Sequence, residues 1–160
     1  STEIDLFVVS SMAWMRTRGG VFFLPAGDRY LAILPSAPKT ADQWLSHFSG
    51  GGGRYGYDVL SMHKNQRHTE RWIIQGVEDL SYAMAWAEGD VAPGEKTTAT
   101  KERSWRARAP SDKLRGLAER LRIYVPPGAR MGEVSNMVTV ALASNRIDPM
   151  LPEYARSGAR

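Results

Sequence analysis

The sequence predicts an α+β fold: a four-stranded antiparallel sheet made of two hairpins, with a packed helix, followed by a small basic helical hairpin. Three observations predict it. In the first half, short apolar runs are bounded by Gly, Pro and Asp, as strands joined by tight turns are. In the last third, apolar residues recur at the spacing of a helix with one buried face. Between these regions the charge changes sign. Residues 1–90 hold 8 Lys and Arg against 10 Asp and Glu, whereas residues 91–160 hold 13 against 7.

The elements follow in order. "GGVFFLPAG" and "RYLAILP" are apolar runs separated by Gly27-Asp28, a hairpin signal. "TADQWLSHF" places Ala41, Trp44, Leu45 and Phe48 at helical spacing, and "SGGGGRYG" reads as a flexible loop. "YDVLSMHK" and "TERWIIQG" are two further strands with "NQRH" as the turn. In "VEDLSYAMAWAEGD", Leu80, Ala83, Met84 and Ala87 share a helix face and Gly89 is the expected stop, which makes Met84 and Trp86 packing residues. "VAPGEKTTATKERSW" has no periodicity and reads as a linker. Leu114, Leu117, Ala118 and Leu121 then form one helical stripe with Ser111 as its N-cap. Val134, Met137, Val138, Ala141 and Leu142 form another. Pro126 and Pro127 end the first helix and Gly128 reverses the chain. The expected organisation is a β-rich subdomain at 1–90, a basic linker at 91–109, a helical hairpin at 110–148 and a tail at 149–160.

Composition narrows the function. The chain has 160 residues, 42% hydrophobic and 24% charged, enough for a packed core. No run approaches the roughly 18 apolar residues of a membrane span, so no membrane partner is expected. "STEIDLFVVSS" has neither a basic stretch nor a long apolar one and does not read as a signal peptide. Cysteine is absent, which removes disulfides and thiolate metal ligands and fits a reducing, cytoplasmic setting.

Most catalytic patterns are missing. GxxxxGK[ST], GxGxxG after a strand, GxSxG and HExxH do not occur, so neither a catalytic set nor a cofactor is expected. The run "GGGGRYG" leads into a strand, whereas phosphate-cradling loops open a helix. His63 and His68 flank a turn with Asp58 and Glu70 nearby; they are read as solvated turn residues or donors to phosphate, or else as part of a small metal-dependent hydrolase or nuclease. No metal site is assigned from them.

Nucleic acid suits the charge better. Residues 96–115 carry seven Lys and Arg against Glu102 and Asp112, a net +5. Lys101, Arg103, Arg106, Arg108, Lys113 and Arg115, with Arg130 beyond, are candidate phosphate contacts. Trp105 among them can stack on a base or pack beneath the hairpin. Lys64 and Arg67 in "HKNQRH" offer a second donor-rich patch at a hairpin tip. The alternative is a protein-interaction module that uses Trp14, Phe22, Phe23, Trp44 and Trp72.

"GGVFFLPAGDRYLAILP", "YAMAWAEGD" and above all "SWRARAPSDKLRGLAERLRIYVPPGARMGEVSNMVTVALASNRID" resemble the C-terminal region of DEAD/DEAH-type superfamily 2 helicases from phages and actinobacteria. The 110–148 stretch is also similar to a SAP-type DNA-binding motif, with Gly128 and Arg130 at the turn glycine and a basic position; Met131 and Gly132 depart from it. The resemblance implies a non-catalytic accessory domain that binds DNA, forked or single-stranded, beside a helicase motor or replication proteins. The motor motifs are not in this sequence.

Overall fold

The computed structural model describes residues 6–7, 10–38, 40–48, 55–99 and 104–151. Of the expected features, the glycine run at 50–53, Lys101, Arg103 and the end of the tail lie outside the described residues.

The fold is α+β, but its antiparallel sheet has five strands and not four. In sheet order they are β1 (Met15–Arg16), β2 (Phe22–Ala26), β3 (Arg29–Pro35), β4 (Tyr57–His63) and β5 (Arg71–Val77). The two expected hairpins are β2–β3 and β4–β5. Gly27 opens the first turn at φ 60, the glycine position of a two-residue type II′ turn. The strand missed is β1, which pairs Met15 with Phe23 and Arg16 with Phe22. Two residues carry no readable alternation, so β1 exists through its partner strand.

Helices cover both faces of the sheet. They are α1 (Ala41–Phe48), α2 (Leu80–Asp90), a single turn α3 (Lys96–Ala99), α4 (Asp112–Arg120) and α5 (Met131–Ile147). On one face Leu24, Ala26, Leu31, Ile33 and Val59 meet Leu80, Ala83, Met84 and Ala87 of α2. On the other, Phe23, Tyr30, Ala32, Leu34, Leu60 and Met62 meet Ala143 and Ile147 of α5. Being buried on both sides is why β2, β3 and β4 read as continuous apolar runs. Among the described residues no helix is long and apolar enough to cross a membrane.

The C-terminal helices form more than a hairpin. Ala118, Ala129, Val134 and Val138 make a small core between α4 and the first half of α5. The second half of α5 lies on the sheet. Each large apolar side chain buried there contributes roughly 1.5–3 kcal/mol, so α5 is held to the sheet and the hairpin with it. The expected linker is likewise packed: Ala99 is buried, its carbonyl accepts from Ala13 N–H at 2.6 Å, and Thr98 Oγ1 accepts from Gly27 N–H at 2.6 Å. Arg29 on β3 holds the same segment through Asp90 at 2.6 Å and Glu95 at 2.9 Å.

Ser111 caps α4, accepting from Leu114 N–H at 3.2 Å. The helix ends before the prolines, at Arg120, because Arg122 turns into the left-handed region at φ 57. Arg122 N–H donates to Glu119 O and Ile123 N–H to Ala118 O, both at 2.9 Å, the two bonds of a Schellman cap. Glycine usually holds that position, because a Cβ there costs about 1–2 kcal/mol. Arg122→Gly is therefore expected to raise stability by about 0.5–1 kcal/mol, read from the urea midpoint. A lower midpoint would mean that the arginine side chain stabilises the fold by more than its backbone strain. The Pro-Pro-Gly turn follows as expected, with Gly128 at φ 80 and Ala129 N–H donating to Pro126 O at 3.1 Å.

Candidate nucleic-acid interface

The basic segment crosses the start of α5. Trp105 and Arg106 lie in a 3₁₀ turn, Ser104–Ala107. Arg108 O accepts from Met131 N–H at 2.7 Å, which ties this segment to the helix N-terminus. Arg106 is pinned from its side chain: Nη2 donates to Gly132 O at 3.1 Å and Asn136 Oδ1 at 2.8 Å. Its guanidinium also lies 5.5 Å from the Trp105 ring centroid. This explains Gly132, a poor helix former at the start of a helix. A Cβ there would sit 2.8 Å from Arg106 Cβ and Nε, so glycine makes room for the arginine. Arg106 is thus first an anchor, held through Nη2.

Lys64 approaches from the β4–β5 turn. Arg146 on α5 sets that turn in place, donating to His63 O and Gln66 O at 3.0 Å and pairing with Glu70 at 2.9 Å. The backbone amide of Glu70 and the Arg146 hydrogen bond hold the Glu70 carboxyl below its usual range. Lys64 is half-buried, its ammonium 5.4 Å from the Tyr30 ring centroid. Burial lowers its pKa, partly opposed by Asp28. Among the described residues its ammonium has no hydrogen-bond or salt-bridge partner.

These two sources meet. Lys64, Trp105 and Arg106 line one cavity of about 440 Å³, together with Thr98, Ser135, Asn136 and Thr139. Met15, Pro25 and Ala13 also line it, and among the described residues no carboxylate does. Two cations, hydroxyls and a partly exposed indole are the groups that bind a phosphate beside a base. Trp105 also borders a smaller recess of about 280 Å³ with Lys113, Ser111 and Leu114. Trp105 therefore both packs and presents its ring.

The other expected contacts are spread out. Arg108, Lys113, Arg115, Arg130 and Arg67 are exposed. The Met131–Arg108 hydrogen bond brings Arg108 beside Arg130. Arg67 and Arg115 do not line the cavity. Sequence reasoning missed Arg146, Ser135, Asn136 and Thr139. The last three form a polar strip on α5 beside its apolar stripe, and that strip was readable as a helix face.

The residues considered for a hydrolase do not converge. Asp58 and His63 stand at opposite ends of β4, about 17 Å apart at strand spacing. Asp58 is buried at a bulge and accepts from Ser36 Oγ at 2.6 Å and Gly76 N–H at 2.8 Å. His63 Nδ1 accepts from the N–H groups of Asn65 and Gln66, which shapes the turn. Among the described residues no group of three His, Asp or Glu could hold a metal ion.

The aromatics sort into buried and exposed groups. Phe23 is fully buried, and Phe22 and Trp14 pack around Phe7 in the core. Trp44 and Trp72 are partly exposed. Trp86, expected to pack, is 50% exposed beside exposed Tyr82 on the outer side of α2. Leu80, Ala83, Met84 and Ala87 already fill the inner face of this helix. Comparison of the chain with protein-family models, with curated proteins and with solved structures finds no match.

Proposed function

We propose that this protein is a non-catalytic module that binds nucleic acid, with single-stranded DNA as the favoured form. The observation that carries this reading is the convergence of Lys64 with Trp105 and Arg106 on one cavity that, among the described residues, no carboxylate lines. Lys64 and Arg106 take a phosphate, Trp105 stacks on the adjacent base, and exposed Arg108, Lys113 and Arg130 supply longer-range attraction. Association with a helicase motor rests on the sequence resemblance alone.

The test is fluorescence anisotropy with labelled oligo(dT), oligo(rU) and forked duplex DNA at two salt concentrations. Binding is expected to weaken steeply with salt. Neutralising Arg108, Lys113, Arg115 and Arg130 together should flatten the log–log salt slope by about 2–3, at roughly 0.7 per phosphate contact. Absence of salt-dependent binding at micromolar protein refutes the proposal.

A second reading is supported by the outer side of α2. Trp86 and Tyr82 flank a groove of about 460 Å³ that also includes Arg71 and Ile73 of the edge strand β5. Such an aromatic patch suits a protein partner. It belongs to the helix on the sheet face opposite α5, so a docked partner and a bound strand need not compete.

A further inference from the structure

A second recess, of about 470 Å³, borders the same helix α5. Ile123, Met137 and Val140 are its apolar lining, Arg18 and Arg122 its basic groups, and Tyr124 its ring. Among the described residues no carboxylate lines it. Tyr124 is 76% exposed, the most exposed of the large apolar and aromatic side chains among the described residues. A ring left out of the core beside two guanidinium groups is poorly explained by packing.

Both arginines are presented from fixed backbone. Arg18 N–H donates to Ser144 Oγ at 2.9 Å. The flanking residues are held by Asp148, which accepts from Thr17 Oγ1 at 2.6 Å and Gly19 N–H at 2.8 Å. Arg122 occupies the left-handed position of the α4 cap, where glycine would be unstrained. Among the described residues neither guanidinium has an ion pair or a hydrogen bond.

The recess and the cavity already described share Asn136 in their linings. Ser135, Asn136 and Thr139 turn to the first, and Asn136, Met137 and Val140 to the second. On a helix these positions occupy adjoining arcs that share Asn136. Its Oδ1 is taken by Arg106, which leaves its amide N–H groups as donors at the junction.

We infer that this recess is a second subsite for the same single strand: Tyr124 stacks on a base, Arg18 and Arg122 hold the flanking phosphates, and the strand crosses α5 past Asn136 to reach Trp105. The inference rests on the nucleic-acid reading above and adds a path and a minimum length to it. Charge selects the occupant, because two cations with no lining carboxylate among the described residues favour a polyanion, and the exposed ring favours one that carries bases.

The experiment compares a four-nucleotide with a twelve-nucleotide labelled oligo(dT) on the full chain, within the range of known single-strand site sizes of about 4–16 nucleotides. Wild type is expected to bind the longer probe more tightly. Tyr124→Ala and Arg122→Gly should each weaken the twelve-mer roughly five- to tenfold and leave the four-mer within about twofold, so that the length dependence is lost. Trp105→Leu should weaken both probes. Arg122→Gly suits the backbone at that position, and an unchanged or raised urea midpoint shows that its effect on binding is not misfolding. Unchanged twelve-mer binding by Tyr124→Ala overturns the subsite and leaves the first cavity standing. Failure of wild type to bind either probe overturns both readings. Tyr124-dependent binding of labelled polyglutamate in preference to the twelve-mer would assign the recess to acidic peptide and also overturn the inference.

Discussion

A double variant, Lys64→Met with Trp105→Leu, is expected to bind oligo(dT) about 100-fold more weakly than wild type, roughly tenfold for each change. The two losses differ in kind. Lys64→Met keeps an unbranched apolar stem over Tyr30 and removes only the charge. It should flatten the log–log salt slope by about 0.7, the share of one phosphate on a single strand. Trp105→Leu keeps an apolar side chain between the two recesses it borders but removes the ring. It should lower affinity by the stacking contribution, about 1–3 kcal/mol per base, and leave the slope unchanged. Anisotropy titrations at four salt concentrations separate these effects. Full affinity in the double variant would remove the first cavity from the binding surface.

Replacing Arg29 with methionine is expected to destabilise the fold by about 2–3 kcal/mol, read from the urea midpoint. Arg29 joins sheet to helix and to the segment beyond it. Its Nη1 donates to Asp90 Oδ2 at 2.6 Å and Ser61 Oγ at 3.0 Å, and its Nη2 to Asp90 O at 2.6 Å. Nε and Nη2 reach the two oxygens of Glu95, both at 2.9 Å, a bidentate pair. The side chain is 18% exposed and its partners 26% and 21%. Removal leaves two carboxylates facing one another, and their partial exposure keeps the loss below that of a fully buried pair. Arg71, 60% exposed, also reaches Asp90, at 3.2 Å, but its replacement by alanine should cost under about 1 kcal/mol.

The Arg29 effect depends on pH with a definite sign. Hydrogen bonding to Arg29 holds the Glu95 carboxyl below its ordinary value of 4.5. A depressed carboxyl stabilises the fold above its unfolded pKa and loses that contribution as pH falls through the folded one. The gap between wild type and Arg29→Met is therefore full at neutral pH and closes below about pH 4. A gap of constant size from neutral to acid pH would show that lost packing, and not the ion pair, accounts for the effect.

The fold was legible wherever a residue's role depends on its near neighbours in the chain. Gly27-Asp28 marks the β2–β3 turn because a two-residue reversal needs a residue tolerant of positive φ. The stripe Leu80, Ala83, Met84 and Ala87 names the buried face of α2, and the same stripe puts Trp86 on the outside. Reading Trp86 as a packing residue extended the helix assignment to a position outside that stripe. Ser111 was legible as a cap because the donor it satisfies is three residues away.

Local pattern, turn residues and charge together determined that this chain is α+β, with paired strands before paired helices and a basic second half, since each of these is a property of neighbouring residues. Other features needed the chain to be packed. β1 is a strand only against Phe22 and Phe23. The α5 stripe serves two cores because α5 is long enough to leave α4 and reach the sheet. Lys64 and Trp105 share a cavity because Arg146 fastens the β4–β5 turn to α5 while Arg106 fastens the basic segment to the same helix. Contacts between residues so far apart in the chain depend on how layers stack, and layer geometry leaves no local period in the sequence from which it could be read.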